Sequence, residues 1–367
     1  MSLFGKQSTS LIGVDIGTSS IKLVELAHEE GRARLVTYGF IDQIQRDIRS
    51  TVQEDTTFMA EQIKTVMAHT KFTTLQAIAA LPTYAVFTSL ISLPYMSKEE
   101  LDSAVHWEAR KIIPLPLDEI VLDYQVLNDV DSGGMTKKKG AQHPDFFKIL
   151  ITGAAKDTVA RYTEIFKLSG LNLVSLETEM FALSRTLVGD DPAEIMIVEM
   201  GATTTDIVIV ENGIPFLSRT IETGGMALTR AIVSSLNISE RRAEQLKRDI
   251  GIIAFDQQSG GVPKILEGAL EPLVHEIKYT FNLYKDLAIH PSDTATGNIE
   301  KVILTGGTAL MPNFVNYLSQ ILQTRVVVGD PWARVAYPED LRPVLAGVGS
   351  KFSVALGLAL RAPNQMK

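Results

Sequence analysis

Cysteine is absent from this chain of 367 residues. Its absence excludes disulfides, thiolate nucleophiles and thiolate metal sites, and it fits a reducing compartment. No uncharged run approaches the roughly 20 residues that a membrane-spanning helix needs. Asp15 interrupts the first apolar run, which argues against a secretory signal. We therefore expect a cytoplasmic protein without direct membrane insertion.

Positive charge and aromatic residues are also scarce. Lys and Arg number 35 against 43 Asp and Glu, the net charge is −8, and aromatic residues make up 7%. No arginine-rich stripe interleaved with aromatic residues occurs, so we expect no nucleic-acid partner. The patterns GxxxxGK[ST] and HExxH are missing, and the six histidines form no ligand-spaced cluster. The remaining composition, 45% hydrophobic and 21% charged, is that of a globular protein with room for two or more domains.

Strand and helix patterns alternate along the chain, which predicts an α/β fold. Strand patterns fill the first forty residues, and an amphipathic helix is predicted over about 55–69. Between about 75 and 168 the pattern is strand–strand–helix–strand–strand–helix, where Ser97 and Glu100 form a capping-box signature. Within that region, residues 128–145 carry glycines and lysines without apolar periodicity, which predicts an exposed loop.

Two stretches far apart in the chain carry the same string of residues. LIGVDIGTSSIKLVEL (11–26) and MIVEMGATTTDIVIV (196–210) each give an apolar run, an acid, a glycine turn with hydroxyl residues, and a second apolar run. A single copy fits a plain β-turn, whereas two copies between paired strands predict a functional repeat. The acids are Asp15 and Glu199, and the turn residues are Gly17, Thr18, Ser19 and Ser20 in the first copy and Gly201, Ala202, Thr203 and Thr204 in the second.

The residue types of this repeat suit a phosphate ligand. Glycine lets the backbone approach a ligand, successive N–H groups of the turn form an anion-binding nest, and short hydroxyl side chains add donors. A carboxylate at each strand end would repel phosphate unless Mg²⁺ lay between them, so Asp15 and Glu199 are candidate metal ligands. Lys22 adds a positive charge for the phosphates. The sequence thus predicts two hairpins that clamp the tail of a nucleotide.

Three further segments are candidates for holding the rest of the nucleotide. A glycine turn after a buried strand offers bare backbone to a base or ribose, and a glycine pair before a helix offers the first N–H groups of that helix to an anion. A Glu and a Lys lie three residues apart on one helical face. Each segment alone fits an ordinary turn, helix entry or surface ion pair. The residues are Gly306, Gly307 and Thr308 in the first segment, Gly224 and Gly225 in the second, and Glu244 and Lys247 in the third.

In this order the segments resemble the actin-like ATPase superfamily, and the resemblance covers nearly the whole chain. It implies a two-domain α/β fold of duplicated ribonuclease-H-like cores that binds ATP with Mg²⁺. The segment LETEMFALSR (176–185) is similar to the first connecting segment of that superfamily. The resemblance therefore implies that Glu179 and Glu199 position an attacking water, with ATPase activity that is slow at most.

Within the superfamily, the chain looks most like the PilM family of type IV pilus assembly proteins, which is related to the division protein FtsA. The similarity rests on the FGK start, on DIGTSSIKLVEL, on LPLDEIVLDYQVL and on the connecting segment. Two positions depart from the usual pattern. Glu199 replaces an aspartate, and Met180 replaces the proline that usually follows the acid at Glu179.

The resemblance also implies a domain organisation in which an insert of the FtsA/PilM (SHS2) type interrupts the first core. The expected boundaries are 1–75 and 168–190 for the first core, closed by a C-terminal helix at 351–362; 76–167 for the insert; 191–228 and 299–350 for the second core; and 229–298 for a helical subdomain that flanks the nucleotide.

A partner is implied as well. In proteins similar to PilM, a groove between the first domain and the insert holds the short N-terminal cytosolic tail of the inner-membrane protein PilN. Leu115 and Leu117, which alternate with Pro114 and Pro116, are candidate anchors for such a tail, or they pack under the insert's own sheet. Other pilus assembly components are expected partners, self-association stays open, and the protein is expected at the inner membrane only through its partner.

Two other functions fit the same fold. One is an FtsA-like filament protein that tethers itself to the membrane, although only APNQMK follows Arg361, which counts against a membrane-binding C-terminal helix. The other is a small-molecule kinase, for which Asp206 is the candidate general base.

Overall fold

The structure, a computed structural model, describes residues 9–29, 31–42, 52–127, 146–252, 262–288 and 297–361. The chain divides into two compact units. The first comprises residues 1–81 and 165–367, and the second comprises residues 82–164. The predicted lysine-containing loop at 128–145 lies outside the described residues.

Strands and helices alternate as the sequence predicts. The strands are β1 (Thr9–Ile16), β2 (Ser20–Glu29), β3 (Arg32–Asp42), β4 (Gln76–Leu81), β5 (Val86–Pro94), β6 (Ile120–Val126), β7 (Phe146–Ala155), β8 (Asn172–Thr178), β9 (Ile195–Met200), β10 (Thr205–Glu211), β11 (Ile214–Ile221), β12 (Lys301–Thr305), β13 (Arg325–Val328) and β14 (Val335–Ala336). The helices are α1 (Val52–His69), α2 (Lys98–Ile112), α3 (Lys156–Ser169), α4 (Glu179–Leu187), α5 (Gly225–Leu236), α6 (Glu240–Asp249), α7 (Val262–Ala288), α8 (Phe314–Leu322), α9 (Arg342–Val348) and α10 (Ser353–Ala359).

The first sheet of unit 1 has the order β14-β3-β2-β1-β4-β8. Strands β1 and β2 form an antiparallel hairpin, while β4 runs parallel to both β1 and β8. The boundary expected at residue 76 is therefore wrong for the strand Gln76–Leu81, because this strand pairs inside the first sheet and the second unit starts at Pro82. Residues 77–81 are all buried, as expected for a central parallel strand that is covered on both faces.

The second sheet repeats the start of the first. Its order is β11-β10-β9-β12-β13, with an antiparallel hairpin of β9 and β10 and with β12 parallel to β9. Asn212 and Gly213 join β10 to β11 with φ of 50° and 77°, the left-handed backbone that a tight hairpin turn of this type requires. One apolar cluster covers this sheet and includes residues of α5, α6, α7 and α8.

The C-terminal helix α10 packs directly against the backbone of β1 and α4. A Cβ added to Gly13 would lie 1.9 Å from the carbonyl oxygen of Ala355, and one added to Gly357 would lie 2.0 Å from that of Ala182. All seven residues of α10 are buried. This apolar helix is thus part of the core beneath the first hairpin.

The second unit consists mainly of the three-stranded sheet β5-β7-β6 with α2 on one face. Helix α2 starts at the predicted capping box, where Ser97 Oγ accepts from the N–H of Glu100 and the Glu100 carboxylate accepts from the N–H of Ser97 at 2.9 Å. It ends just before Pro114.

No helix among the described residues is both long enough and apolar enough to cross a bilayer.

Candidate functional site

The two hairpins predicted from the repeated string have the same backbone geometry. The N–H of Gly17 donates to the carbonyl of Ser20 at 2.9 Å, and the N–H of Gly201 donates to the carbonyl of Thr204 at 3.0 Å. A Cβ on Gly17 would lie 3.1 Å from the oxygen of Ser20, and one on Gly201 would lie 3.2 Å from that of Thr204. The sequence repeat is therefore a structural repeat, with glycine in the equivalent tight position of each turn.

The tips of the two hairpins meet within unit 1. The hydroxyl of Thr203 donates to the hydroxyl of Thr18 at 3.0 Å, although these residues are 185 positions apart in the chain. The structure thus brings together the two turns that the sequence analysis expected to face each other. The hydroxyl groups of Thr18 and Thr203 therefore meet at one polar surface.

The first hairpin pairs its acid with a lysine. Asp15 lies at the end of β1, directly across from Lys22 on β2, and the Lys22 Nζ is 2.9 Å from the Asp15 Oδ2. Both side chains are largely buried. Burial by itself lowers the pKa of Lys22, but the adjacent Asp15 carboxylate, helped by Glu199 and Asp42, outweighs it and raises that pKa. Lys22 is therefore a fixed positive charge at this site.

The second hairpin pairs its acid with another acid. The register of β9 and β10 places Asp206 directly across from Glu199. Burial, followed by the charges of Asp206 and Asp15, raises the pKa of Glu199 to about 8, and Lys22 offsets only part of this effect. Asp206 is buried and accepts a hydrogen bond from the Thr220 hydroxyl. The Glu199–Asp206 pair was missed from sequence, although Asp206 follows Glu199 at the same spacing as Lys22 follows Asp15.

Gly306 holds the turn after β12 against the second hairpin. It adopts φ +88°, and a Cβ there would lie 2.4 Å from the Met200 carbonyl oxygen and 2.8 Å from Glu199 Oε1. Its N–H donates to the carbonyl of Ser350 at 2.9 Å. A Cβ on Gly307 would meet nothing within 4 Å, so the backbone next to this turn is open on that side. This open face is where the sequence predicts a base or ribose.

The glycine pair at the start of α5 forms hydrogen bonds and contacts other than those predicted. The N–H of Gly225 donates to the carbonyl of Gly201 at 2.9 Å, and the N–H of Met226 donates to the carbonyl of Ala202 at 2.8 Å. A Cβ on Gly224 would lie 2.6 Å from the Ala202 oxygen. The expectation that these first N–H groups of the helix bind an anion is wrong for these two, because they fix the second hairpin instead.

Glu244 and Lys247 form the predicted pair on one face of α6, but the pair is partly buried. Lys247 Nζ lies 2.7 Å from Glu244 Oε2 and also donates to the Gly225 carbonyl and the Thr229 hydroxyl, each at 3.0 Å. Burial lowers the pKa of Lys247, although Glu244 opposes this. A Cβ on Gly225 would lie 2.6 Å from Thr308 Oγ1. The three further segments predicted to hold the rest of the nucleotide therefore converge beside Gly225.

Glu179 is the first residue of α4, directly after β8. Thr178, at the end of β8, pairs with Leu81 on β4, and Ala79 on the same strand pairs with Val14 on β1. Because these strands are parallel, their carboxyl ends lie at one edge of the sheet, with β8 about 10 Å from β1. Glu179 therefore lies at the same edge as Asp15, two strands away.

The side chains around the two hairpins carry more carboxyl groups than ammonium groups, as a site for a divalent cation would. Asp15, Glu199 and Asp206 supply three carboxyl groups against the single ammonium of Lys22, and the raised pKa of Glu199 reflects this excess. A divalent cation between the hairpins would relieve that repulsion. In the part of the chain that the structure describes, three or more Asp, Glu or His side chains nowhere converge on one point that could hold a metal. A divalent cation at the hairpins would therefore need ligand atoms in addition to these side chains.

Comparisons with solved structures identify the fold. A chain of a PilM–PilN type IV pilus biogenesis complex is 24% identical with a TM-score of 0.78, covering 97% of this chain and 99% of that chain. MreB5 of Spiroplasma citri, solved bound to ADP, is 14% identical with a TM-score of 0.51, covering 98% and 97%. The fold is therefore the actin-like ATPase fold that the resemblance implied.

Sequence relatives and the family comparison agree with this fold. The cell division protein FtsA of Enterococcus faecalis is 24% identical over 354 residues, 86% of this chain and 77% of the relative. FtsA of Neisseria meningitidis is 22% identical over 289 residues, 72% and 66%. The family described as type IV pilus assembly protein PilM matches residues 13–363. With nearly its whole length matched, the chain belongs to the PilM family of type IV pilus assembly proteins.

Proposed function

We propose that this protein is a cytoplasmic, ATP-binding scaffold of type IV pilus or related secretion machinery. In this proposal it binds the cytosolic tail of a PilN-like protein and reaches the inner membrane only through that partner. Membership of the PilM family supports the pilus role. The observation that carries nucleotide binding is the tip-to-tip contact of the two glycine hairpins, at Thr18 and Thr203, beside the buried Lys22.

In the proposed nucleotide site, different residues contact the phosphates, the cation and the nucleoside. The turn N–H groups and the hydroxyls of Thr18, Ser19 and Thr203 donate to phosphate oxygens, and Lys22 balances their charge. Asp15 and Glu199 are the residues that would hold Mg²⁺ through its water shell, and the bound cation would neutralise phosphate charge. The open backbone at Gly307 accepts the nucleoside, while Glu244 and Lys247 limit that pocket.

Hydrolysis is proposed to be slow at most. A general base must be ionised near neutral pH to accept a proton from water. In the nucleotide-free protein the pKa of Glu199 is raised to about 8, and a bound divalent cation would lower it, so Glu199 can accept a proton near neutral pH only when the cation is bound. Glu179 lies two strands from β1 of the first hairpin, and in this proposal it orients the water that attacks ATP.

Thermal unfolding tests nucleotide binding. Purified protein, shown to be nucleotide-free by denaturation and chromatography, should unfold at a higher temperature with millimolar Mg-ATP, because a ligand that binds only the folded state stabilises it. Asp15→Ala should lower the Mg²⁺-dependent part of the affinity by about 1–3 kcal/mol, which is about fivefold to 150-fold. Glu61→Ala on the exposed face of α1 is the control. Absence of any shift in the unmodified protein would reject the nucleotide site.

The proposed anchor for the tail is Leu115. The exposure of Leu115 supports this choice, whereas Leu117 packs against the apolar cluster of the second unit's own sheet. Extended tails bind through a few apolar anchors and backbone hydrogen bonds. A peptide of the N-terminal tail of a PilN-like protein should therefore bind, and Leu115→Asp should weaken binding at least about tenfold.

The matched control for this test is Leu75→Asp, which changes an exposed leucine of the first unit. Mg-ATP affinity should stay unchanged in both variants.

The FtsA relatives support a second candidate, a membrane-tethering filament protein. Flotation of the purified protein with lipid vesicles, without any partner, would favour that function over tail docking.

A kinase function receives no support from Asp206. This candidate general base is buried, lies across from Glu199, and accepts a hydrogen bond from Thr220. A base of this kind must reach a substrate hydroxyl. Its position between two strands explains the residue as part of the second hairpin.

A further inference from the structure

The outer face of α2 exposes a tryptophan. Trp107 is 65% exposed. On the opposite face, α2 buries Leu101, Val105 and Ala109 against the sheet of the second unit. At 100° per residue, Trp107 lies about 200° around the helix from Val105 and therefore points away from that core. A large aromatic side chain in this position loses favourable burial unless another surface covers it.

The residues along this outer face are ordered by charge and size. The first turn of α2 is acidic, with Glu99 and Glu100, and the last turn is basic, with Arg110 and Lys111. Between them, Ser103 lies one turn before Trp107 on the same side of the helix. The face thus reads acidic, small, aromatic, basic from its N-terminal to its C-terminal end.

We propose that this face binds the same face of a second copy of the chain, with the two α2 helices antiparallel. If a two-fold axis passes beside residue 105, Trp107 of each copy lies against Ser103 of the other. The same axis places Lys111 opposite Glu99 of the second copy, because residues 99, 103, 107 and 111 lie on one i, i+4 ridge of the helix. Such an interface is self-complementary, as a two-fold dimer requires. Antiparallel helices also bring the positive end of each dipole next to the negative end of the other.

Charge complementarity selects a second copy as the occupant. A partner with uniform charge would meet repulsion at one end of the face, whereas an inverted copy meets opposite charge at both ends. The existing local contacts are compatible with this arrangement. Lys111 has an ion pair with Glu108 at 2.6 Å that remains on the same helix, and Glu100 keeps its capping bond through one carboxylate oxygen. The proposal does not depend on nucleotide or tail binding.

The expected dimer is weak. One helix face buries less area than a standard interface, and its ion pairs lie on an exposed rim, so most of the affinity must come from the two tryptophans. Sedimentation velocity between about 5 and 200 µM should therefore show a concentration-dependent shift from monomer to dimer. Trp107→Ala should raise the dissociation constant at least about tenfold. Tyr84→Ala, which removes an aromatic ring that is 63% exposed in the same unit, should leave it unchanged.

Fluorescence gives a direct readout of the proposed contact. The chain has two tryptophans, and the other, Trp332, is buried. Quenching by iodide should therefore report mainly Trp107, and it should decrease as the protein concentration rises. Quenching that is independent of concentration while dimers form would place the dimer contact elsewhere and overturn the proposal.

A charge swap tests the register. Glu99→Lys alone and Lys111→Glu alone each place like charges opposite one another at both ends, so each variant should dimerise less than the unmodified protein. Glu99→Lys leaves the Ser97–Glu100 capping box intact. Mixing the two variants restores opposite charges at both ends and should restore association between them.

The outcomes separate the proposal from its alternatives. Circular dichroism melting of each variant verifies that α2 and the fold are intact. A monomer at every concentration, or charge variants whose mixture associates no better than either alone, overturns the antiparallel α2 dimer.

Discussion

The hairpin of β1 and β2 and the hairpin of β9 and β10 place the same glycine turn between an acid and its cross-strand neighbour. In the first hairpin that neighbour is Lys22, which forms an ion pair with Asp15. In the second it is Asp206, which faces Glu199. The two turns have nearly identical hydrogen bonds, yet one acid lies beside a cation and the other has a raised pKa. Turn geometry and electrostatics are therefore set by different residues of the same repeat.

The two hairpins also differ in what holds them in place. Helix α10 packs beneath the first hairpin, against Gly13 of β1. The second is held from two sides, by the N–H groups of Gly225 and Met226 and by the close approach of Gly306. Each hairpin is thus held by segments outside it, the first by one segment and the second by two, and substitutions in those segments should reveal this dependence.

The largest effect is expected at Gly306. Gly306→Ala forces a Cβ into backbone with φ +88° and to within 2.4 Å of the Met200 carbonyl. Strain and overpacking together should lower the free energy of unfolding by about 2–5 kcal/mol. Gly307→Ala is the matched control, because its Cβ meets nothing within 4 Å, and should change stability by less than about 1 kcal/mol. Equal effects in urea denaturation would contradict the role of Gly306.

Breaking the ion pair of the first hairpin should have the next largest effect. Lys22→Met leaves the buried Asp15 carboxylate without its cation, which should lower the free energy of unfolding by about 3 kcal/mol at pH 7. The control is Lys301→Met, which removes an ion pair with Asp191 of the same 2.9 Å length but greater exposure. That variant should cost less than about 1 kcal/mol. Similar losses in the two variants would indicate that burial of the first pair has no energetic consequence.

In the second hairpin, replacing the ionisable Glu199 by a neutral residue should stabilise the protein, whereas Lys22→Met destabilises it. The pKa of Glu199 is raised from 4.5 to about 8, so folding favours its protonated form. The stability that this group contributes is present below about pH 4.5 and is lost as the pH rises through about 8. Glu199→Gln should therefore raise the free energy of unfolding of nucleotide-free protein at pH 8.5 by about 1–3 kcal/mol.

The advantage of Glu199→Gln should disappear as the pH falls to about 4.5, because the unmodified side chain is then neutral in both states. Glu61→Gln on the exposed face of α1 serves as the control and should show no such pH dependence relative to the unmodified protein. Denaturation curves across this pH range measure both. A destabilised Glu199→Gln at pH 8.5 would show that the ionised carboxylate is satisfied in the folded protein.

The smallest effect is expected for the contact between the tips of the two hairpins. Thr18→Val and Thr203→Val each remove one side of the 3.0 Å hydroxyl contact at the tips. Because the contact is partly exposed, the coupling energy from the double-mutant cycle should be about 0.5–1 kcal/mol. Thr57→Val, on an exposed part of α1, paired with Thr203→Val should give a coupling near zero. Zero coupling between Thr18 and Thr203 would mean that the tips do not stabilise each other.

Much of the site was predictable because its parts are local. A glycine three residues before its hydrogen-bond acceptor, as in Gly17 and Ser20, is written in the sequence and forms whenever the flanking strands pair. The capping box of Ser97 and Glu100 and the turn at Asn212 and Gly213 were predictable for the same reason. Even the Glu199–Asp206 pair could have been found, by counting from the turn in both hairpins.

The sequence by itself determined the repeat, the turn chemistry and the acids and lysine that accompany them, because each depends on residues within a few positions of one another. Tertiary structure alone decided that Gln76–Leu81 joins the first sheet, that the N–H of Gly225 binds the second hairpin, and that Gly306 lies against Glu199. It also decided the pKa of Glu199, since burial and the charge of Asp15 come from other parts of the fold. These features arise from contacts between distant segments, whose partners local pattern does not specify.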